Sequence, residues 1–125
     1  MRILLIQDSQ DIREKVVFLI ESSFNASVKE VVSLSGAKTL VSDPSQSYDL
    51  VVLDQKQIVP SDLKAFSDVC PTVPIILSTT IKPAGKVPDN VVGVIERNAI
   101  MEKLVSLIRD LISKGLLTHG TQEGG

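Results

Sequence analysis

Aromatic side chains are scarce in this chain, with no Trp, one Tyr and three Phe. Its core must therefore be aliphatic, filled by Leu, Ile and Val packing closely without large rings. Cysteine is scarcer still. Cys70 stands alone, which excludes an internal disulfide and a cysteine-based metal centre and suits a reducing compartment. Its place near a predicted helix end reads as that of a small buried thiol. No apolar run approaches the ~18 residues that span a bilayer. The first residues lack the charged region, apolar core and cleavage site of a signal peptide. A cytoplasmic setting without membrane contact is the expectation. Positive charge is not in excess either: the net charge is -2, so nothing draws a polyanion and no nucleic-acid partner is expected. His119, the single histidine, lies in a terminal stretch, THGTQEGG, that has no apolar residue to anchor it. It is a poor position for a base or a ligand.

Short apolar runs alternate with longer amphipathic ones along the 125 residues. One domain with one core is expected at about this length, here residues 1–115, with 116–125 as a flexible tail or the start of a linker. Ile3 to Ile6, Val28 to Val32, Leu50 to Leu53, Ile75 to Leu77 and Val91 to Ile95 read as five strands. Four of them are nearly continuous aliphatic runs, the pattern of parallel strands covered on both faces. The second contains Lys29 and Glu30 and belongs at an edge.

Between the first two strands, Ile12, Val16, Leu19 and Ile20 share a helical face, with Asp8 or Ser9 as the cap. Ala37, Leu40 and Val41 predict a short second helix that ends at Asp43-Pro44. A third starts near Pro60, turns Leu63, Phe66 and Val69 inward, and stops at Pro71. From Ile81 to Asn90 the text IKPAGKVPDN holds two prolines and a glycine and predicts a loop. The last helix runs from about Ala99 to Lys114 and closes at Gly115. Its apolar residues, Ile100 to Ile112, form a stripe wider than the roughly 100° that core packing needs. Either the whole of that face packs on the sheet, or part of it meets a partner, a second copy of the chain included. The sum is an α/β fold: a three-layer sandwich around a five-stranded parallel sheet, with a degraded fourth helix.

Open sheets of this kind bind ligands beyond the C-terminal ends of their strands. Those positions hold Gln7 and Asp8, Asp54, Ser78 and Thr79, and Glu96 and Arg97. Two of these carboxylates with one hydroxyl and the cation in one pocket suit Mg²⁺ held beside a phosphorylatable group. Magnesium takes carboxylate and phosphate oxygens, a carboxylate can accept a phosphoryl group, and the hydroxyl and cation would hold the new phosphate oxygens.

The opening RILLIQDSQDIREKVVFLIE, the segment YDLVVLD and the segment VPIILST resemble, in order and spacing, the receiver domain of two-component response regulators. The resemblance runs from Arg2 to about Lys114 and implies a flavodoxin-like topology. It implies that Asp54 is the phosphoacceptor, that Asp8 is a magnesium-binding acid together with Asp54, that Thr79 is the phosphate-sensing hydroxyl, and that Arg97 stands where the family has lysine. The implied donor is a histidine kinase or phosphotransfer protein. The implied output is a contact with a downstream protein or output domain, and no enzymatic activity is implied beyond acceptance of a phosphoryl group at Asp54.

Several positions depart from that pattern. Gln7 replaces one of two adjacent acids, and an amide oxygen is a weak, neutral magnesium ligand. Arg97 keeps the charge but not the shape of an ammonium, and Asn98 replaces the proline that follows it in the family. The proline after Asp54, Pro60, comes two positions late, which predicts a rebuilt loop where the family supplies a backbone carbonyl to the metal. Val94 replaces an aromatic switch residue. These departures point to an alternative, a pseudo-receiver that acts as an interaction or dimerisation module without phosphorylation, with Arg97 paired to Asp54 or Asp8. A third possibility, a small enzyme or nucleotide-binding domain, is opposed by the absence of a glycine-rich loop after the first strand.

Overall fold

The computed structural model describes residues 1–117. Its elements are β1 (Arg2–Ile6), α1 (Gln10–Ser23), β2 (Ser27–Val31), α2 (Leu34–Val41), β3 (Leu50–Asp54), α3 (Pro60–Val69), β4 (Ile75–Thr79), β5 (Val91–Glu96) and α4 (Ile100–Ser113), with one 3₁₀ turn, Arg97–Ala99, before α4. The five strands form one sheet in the order β2-β1-β3-β4-β5, and every pairing is parallel. That order is flavodoxin-like, and it reverses direction between β1 and β3. As Lys29 and Glu30 imply, β2 is an edge.

Strand alternation divides the sheet's side chains between two layers of helices. Ile3, Leu5, Leu50, Val52 and Ile76 pack with Val16 and Ile20 of α1 and with Ile100, Leu104, Ile108 and Leu111 of α4. On the other face Leu4, Ile6, Val51, Leu53, Ile75 and Leu77 meet Ala37 of α2 and Leu63 and Phe66 of α3. The core is aliphatic apart from Phe66 and Tyr48, and Cys70 is buried at the end of α3. Burial pushes the Cys70 thiol up to about 11.

Local chemistry sets the element ends. Ser9, not Asp8, caps α1, its hydroxyl accepting from the Ile12 amide at 3.4 Å. Ser33 caps α2, with Gly36 N as donor. Pro60 opens α3, where its missing amide costs nothing. Val69 does not face inward: it is 40% exposed. The i, i+3, i+4, i+7 stripe from Leu63 runs through Phe66, Ser67 and Cys70, all buried, and Val69 falls off it. Val32 likewise lies beyond the end of β2 and is exposed.

Residues 80–90 form no helix, and β4 and β5 are joined by a loop. Asn90 anchors it, donating from Nδ2 to the carbonyls of Cys70 and Val73 at 3.0 and 2.9 Å and accepting from the Ser67 hydroxyl. On β5, a Cβ added to Gly93 would come within 2.8 Å of Leu107 Cδ2, so glycine at this edge lets α4 approach the sheet. Gly115, with φ +76, ends α4 and turns the chain back. Leu117 then packs on the α1/α4 core, so the folded unit reaches two residues past the expected domain end at 115. The rest of that tail, His119 with it, lies outside the described residues. Among the described residues no helix is long and apolar enough to cross a membrane.

Candidate functional site

The crevice between β1 and β3, where the strand order reverses, is the position at which sheets of this topology take ligands. Gln7 and Asp54 meet there. β1 and β3 pair in register up to Ile6 and Leu53, so the next residue of each strand emerges at the same level. Both are fully buried, at 0% exposure. The Gln7 Nε2 amide donates to Asp54 Oδ2. Gln7 Oε1 accepts from the backbone N–H of Ser9 at 2.8 Å and from Arg97 Nη2 at 3.2 Å.

Arg97 reaches into this crevice from the far end of the sheet. Its position just after β5, in the 3₁₀ turn that leads into α4, brings the guanidinium across the mouth of β1 and β3. Arg97 Nε lies 3.3 Å from Asp54 Oδ1, and Arg97 Nη2 lies 3.4 Å from Asp8 Oδ1. One cation thus contacts both acids and the amide. The contact with Asp54 Oδ1 is a charge pairing without hydrogen-bond alignment, because neither atom has a hydrogen-bond partner. The Arg97 side chain is 23% exposed and that of Asp8 74%, so the Asp54 pair is the shielded one.

The Asp54 carboxyl is held above the usual aspartate value of 3.8 because burial penalises its charge. The Ser78 hydroxyl, the Gln7 amide and Arg97 all work in the opposite direction without cancelling that effect. Ser78 is the register partner of Asp54 on β4, fully buried beside it.

Thr79 is placed differently. Along β4 it follows Ile75 and Leu77, which face α2 and α3, whereas Asp54 follows Leu50 and Val52, which face α1 and α4. The Thr79 hydroxyl lies 3.0 Å from each of the carbonyls of Lys56 and Ile81 and bonds to neither Asp54, Gln7 nor Arg97. The Lys56 carbonyl also accepts the amides of Thr80 and Ile81, at 3.0 and 3.1 Å. The loop after Asp54 is therefore stitched to the end of β4, and an isolated parallel bridge between Gln57 and Ile81 extends the seam. Glu96 is exposed and outside the cluster.

Arg13 is a member of the site that sequence reasoning missed. Its Nη1 donates to the Gln7 carbonyl at 2.8 Å while its Nε lies 3.5 Å from Glu30. A charged residue one turn into an amphipathic helix reads as solvent-facing, and a backbone acceptor leaves no mark in a sequence.

Solved structures that match this fold include response-regulator receiver domains. A response regulator receiver domain protein from Clostridium thermocellum superposes with a TM-score of 0.69 at 17% identity, covering 91% of this chain and 95% of that one. The fold is that of a receiver domain. A CheY-like receiver from Methanospirillum hungatei shares the fold with a TM-score of 0.72 at 14% identity over 90% and 94% of the two chains. The response regulator TrrA from Thermotoga maritima, solved in complex with Mg(2+)-BeF, has a TM-score of 0.68 and 19% identity over 88% and 97%. The sequence matches no protein-family model and no curated protein.

Given the receiver fold, the donor set can be weighed against a magnesium ion. Magnesium demands oxygen ligands at about 2.0–2.1 Å in near-octahedral array. Here Asp54 faces the Gln7 amide and a guanidinium, Gln7 Oε1 faces two donors, and the Lys56 carbonyl faces three. Among the described residues no group of three or more Asp, Glu, His or Cys side chains is placed to hold a metal. The fold is shared with TrrA, but the oxygens of this crevice are committed to nitrogen and hydroxyl donors and do not fit a magnesium ion.

Proposed function

We propose that this chain is a signal-transduction module of receiver type that works through protein–protein contacts and without phosphoryl transfer to Asp54. The observation that carries this reading is the closure of the Asp54 carboxylate. It has no exposed surface, one oxygen accepts from Gln7, and the other rests against Arg97. A phosphoryl donor must approach a carboxylate oxygen in line, and here Oδ2 is hydrogen-bonded to Gln7 while Oδ1 is covered by Arg97. The pocket already holds a cation, Arg97, against the Asp54 carboxylate. In this reading the partner is a downstream protein or output domain, or a second copy docked on the last helix, and the chain is not an enzyme.

A second reading is favoured by the placement of Asp54 at the topological switch point with Asp8 and a cation beside it. There Asp54 accepts a phosphoryl group from a histidine kinase or phosphotransfer protein. Intact mass after incubation with acetyl phosphate and Mg²⁺, beside an Asp54→Asn control, separates the two. The expected result is an unchanged mass for both proteins. A gain of one phosphoryl group that Asp54→Asn lacks would establish the second reading.

A further inference from the structure

We infer that Arg97 is the resident cation of this pocket and that the pocket excludes divalent metal ions. The inference deepens the proposed function by stating what holds the Asp54 site in one charge state. Three independent features of the chain converge on it.

The first is the reach of Arg97. Its guanidinium contacts Asp54 Oδ1, Asp8 Oδ1 and Gln7 Oε1, at 3.3, 3.4 and 3.2 Å. Those oxygens come from the ends of two strands and would be the natural ligands of an ion in the crevice. A planar fork with several N–H groups satisfies oxygens at different angles, which a single ammonium on a flexible stem does less well. An incoming cation would have to displace a positive charge already at contact distance from both acids.

The second is Gln7. An acid in its place would put a further negative charge beside Asp54, and one guanidinium would then face three carboxylates. As an amide it supplies a donor to Asp54 and an acceptor to Arg97 at once. Charge in the buried crevice balances without a metal: one carboxylate, Asp54, against one guanidinium, with Asp8 at the exposed rim.

The third is the Lys56 carbonyl. It belongs to the loop that follows Asp54, and it is consumed by Thr79 Oγ1, Thr80 N and Ile81 N. Freeing it would break the seam between the loop and β4. The side-chain substitutions and the loop conformation thus act in the same direction.

Thermal unfolding followed by circular dichroism, in chelator and in about 10 mM Mg²⁺, tests the inference. The wild-type midpoint is expected to be the same in both. Arg97→Ala is expected to melt lower in chelator and to regain several degrees in Mg²⁺, since a ligand at ten times its Kd raises a midpoint by about 6 °C in a domain of this size. Adding Asp54→Asn to Arg97→Ala is expected to abolish that response. A Mg²⁺-dependent rise in wild type that Asp54→Asn removes would overturn the inference, as would an Arg97→Ala protein indifferent to Mg²⁺. Should Arg97→Ala not fold, substoichiometric Mn²⁺ added to ¹⁵N-labelled wild type decides the matter. Selective broadening of the Gln7, Asp8 and Asp54 amides overturns the inference, and its absence upholds it. The inference and the proposed function fail separately. Phosphoryl gain in chelator would defeat the phosphorylation-independent reading and leave Arg97 as the resident cation. A wild-type Mg²⁺ response without phosphoryl gain would do the reverse.

Discussion

Asp54 is a charge that the fold tolerates at a cost. Burial raises its folded pKa above 3.8, so between the unfolded and folded values the native state holds a proton that the unfolded chain has lost. Stability tied to this group is therefore fully present below the unfolded pKa and is lost as pH rises through the folded one. At neutral pH the ionised Asp54 costs stability even with Arg97 beside it. Asp54→Asn keeps the shape and an oxygen acceptor for the Gln7 amide while removing the charge. The variant is expected to be more stable than wild type at pH 7 and to melt at a higher temperature. The difference should vanish as pH falls below the unfolded aspartate value. Paired melts from pH 7 downward check the sign: a variant less stable than wild type at neutral pH would mean that Arg97 outweighs desolvation. The same comparison bears on why Gln7 occupies its position, because a second buried carboxylate there would add to a cost already present.

At the scale of elements, the segment that departs furthest from a regular (β/α) repeat is the 80–90 loop, and Asn90 holds it. The side chain of Asn90 satisfies two carbonyls at the end of α3 and accepts from Ser67, so a single amide fastens the loop that a helix would have filled. Removing it leaves the Cys70 and Val73 carbonyls without those donors. Asn90→Ala is expected to destabilise the fold by about 2 kcal/mol, given roughly 1 kcal/mol for each hydrogen bond lost beside a partly buried acceptor. In urea this should appear as a lower midpoint with an unchanged slope. A lower slope would indicate instead that the loop had already come away in the native state. The last helix makes a complementary point. Its broad apolar stripe is used mostly by the core: Ile100, Leu104, Ile108 and Leu111 are buried, and Leu107 and Ile112 pack against them. Met101, at the start of the helix, remains exposed. Much of the width of the stripe is used in packing α4 onto the sheet at Gly93 and against α1.

Across the whole molecule, the two apolar clusters share one sheet, and neighbouring strands contribute alternate side chains to both. Neither cluster can open without disturbing the strands that carry the other. Calorimetry should therefore record a single transition, with an unfolding enthalpy of about 80 kcal/mol for the 117 described residues. Two resolved transitions would mean that the α1/α4 and α2/α3 layers unfold independently. The shared sheet also explains how Arg97, at one edge, can act on Asp54 near the middle: strand ends in register place both at one rim.

The apolar runs and their spacing determined the parallel sheet, because aliphatic strands with helical stretches between them have few other ways to bury both faces. Lys29 and Glu30 in β2 determined its edge position, and the prolines of IKPAGKVPDN excluded a regular helix there. Strand ends also marked Gln7, Asp8, Asp54 and Arg97 as residues of one rim, since the C-terminal ends of parallel strands lie on one side. What they do to one another was decided only in three dimensions. Whether Arg97 paired with Asp54 or with Asp8 depended on how the 3₁₀ turn aims its side chain, and it reaches both. Thr79 was counted with the pocket by its position at a strand end, yet its hydroxyl bonds to the Lys56 and Ile81 carbonyls. Its partners are backbone atoms, which no residue identity encodes. Arg13 escaped notice for the same reason, and Leu117 because burial of the chain after Gly115 depends on the direction of that turn. Periodicity specifies which faces are buried, whereas the meeting of side chains with particular backbone atoms is set by tertiary geometry alone.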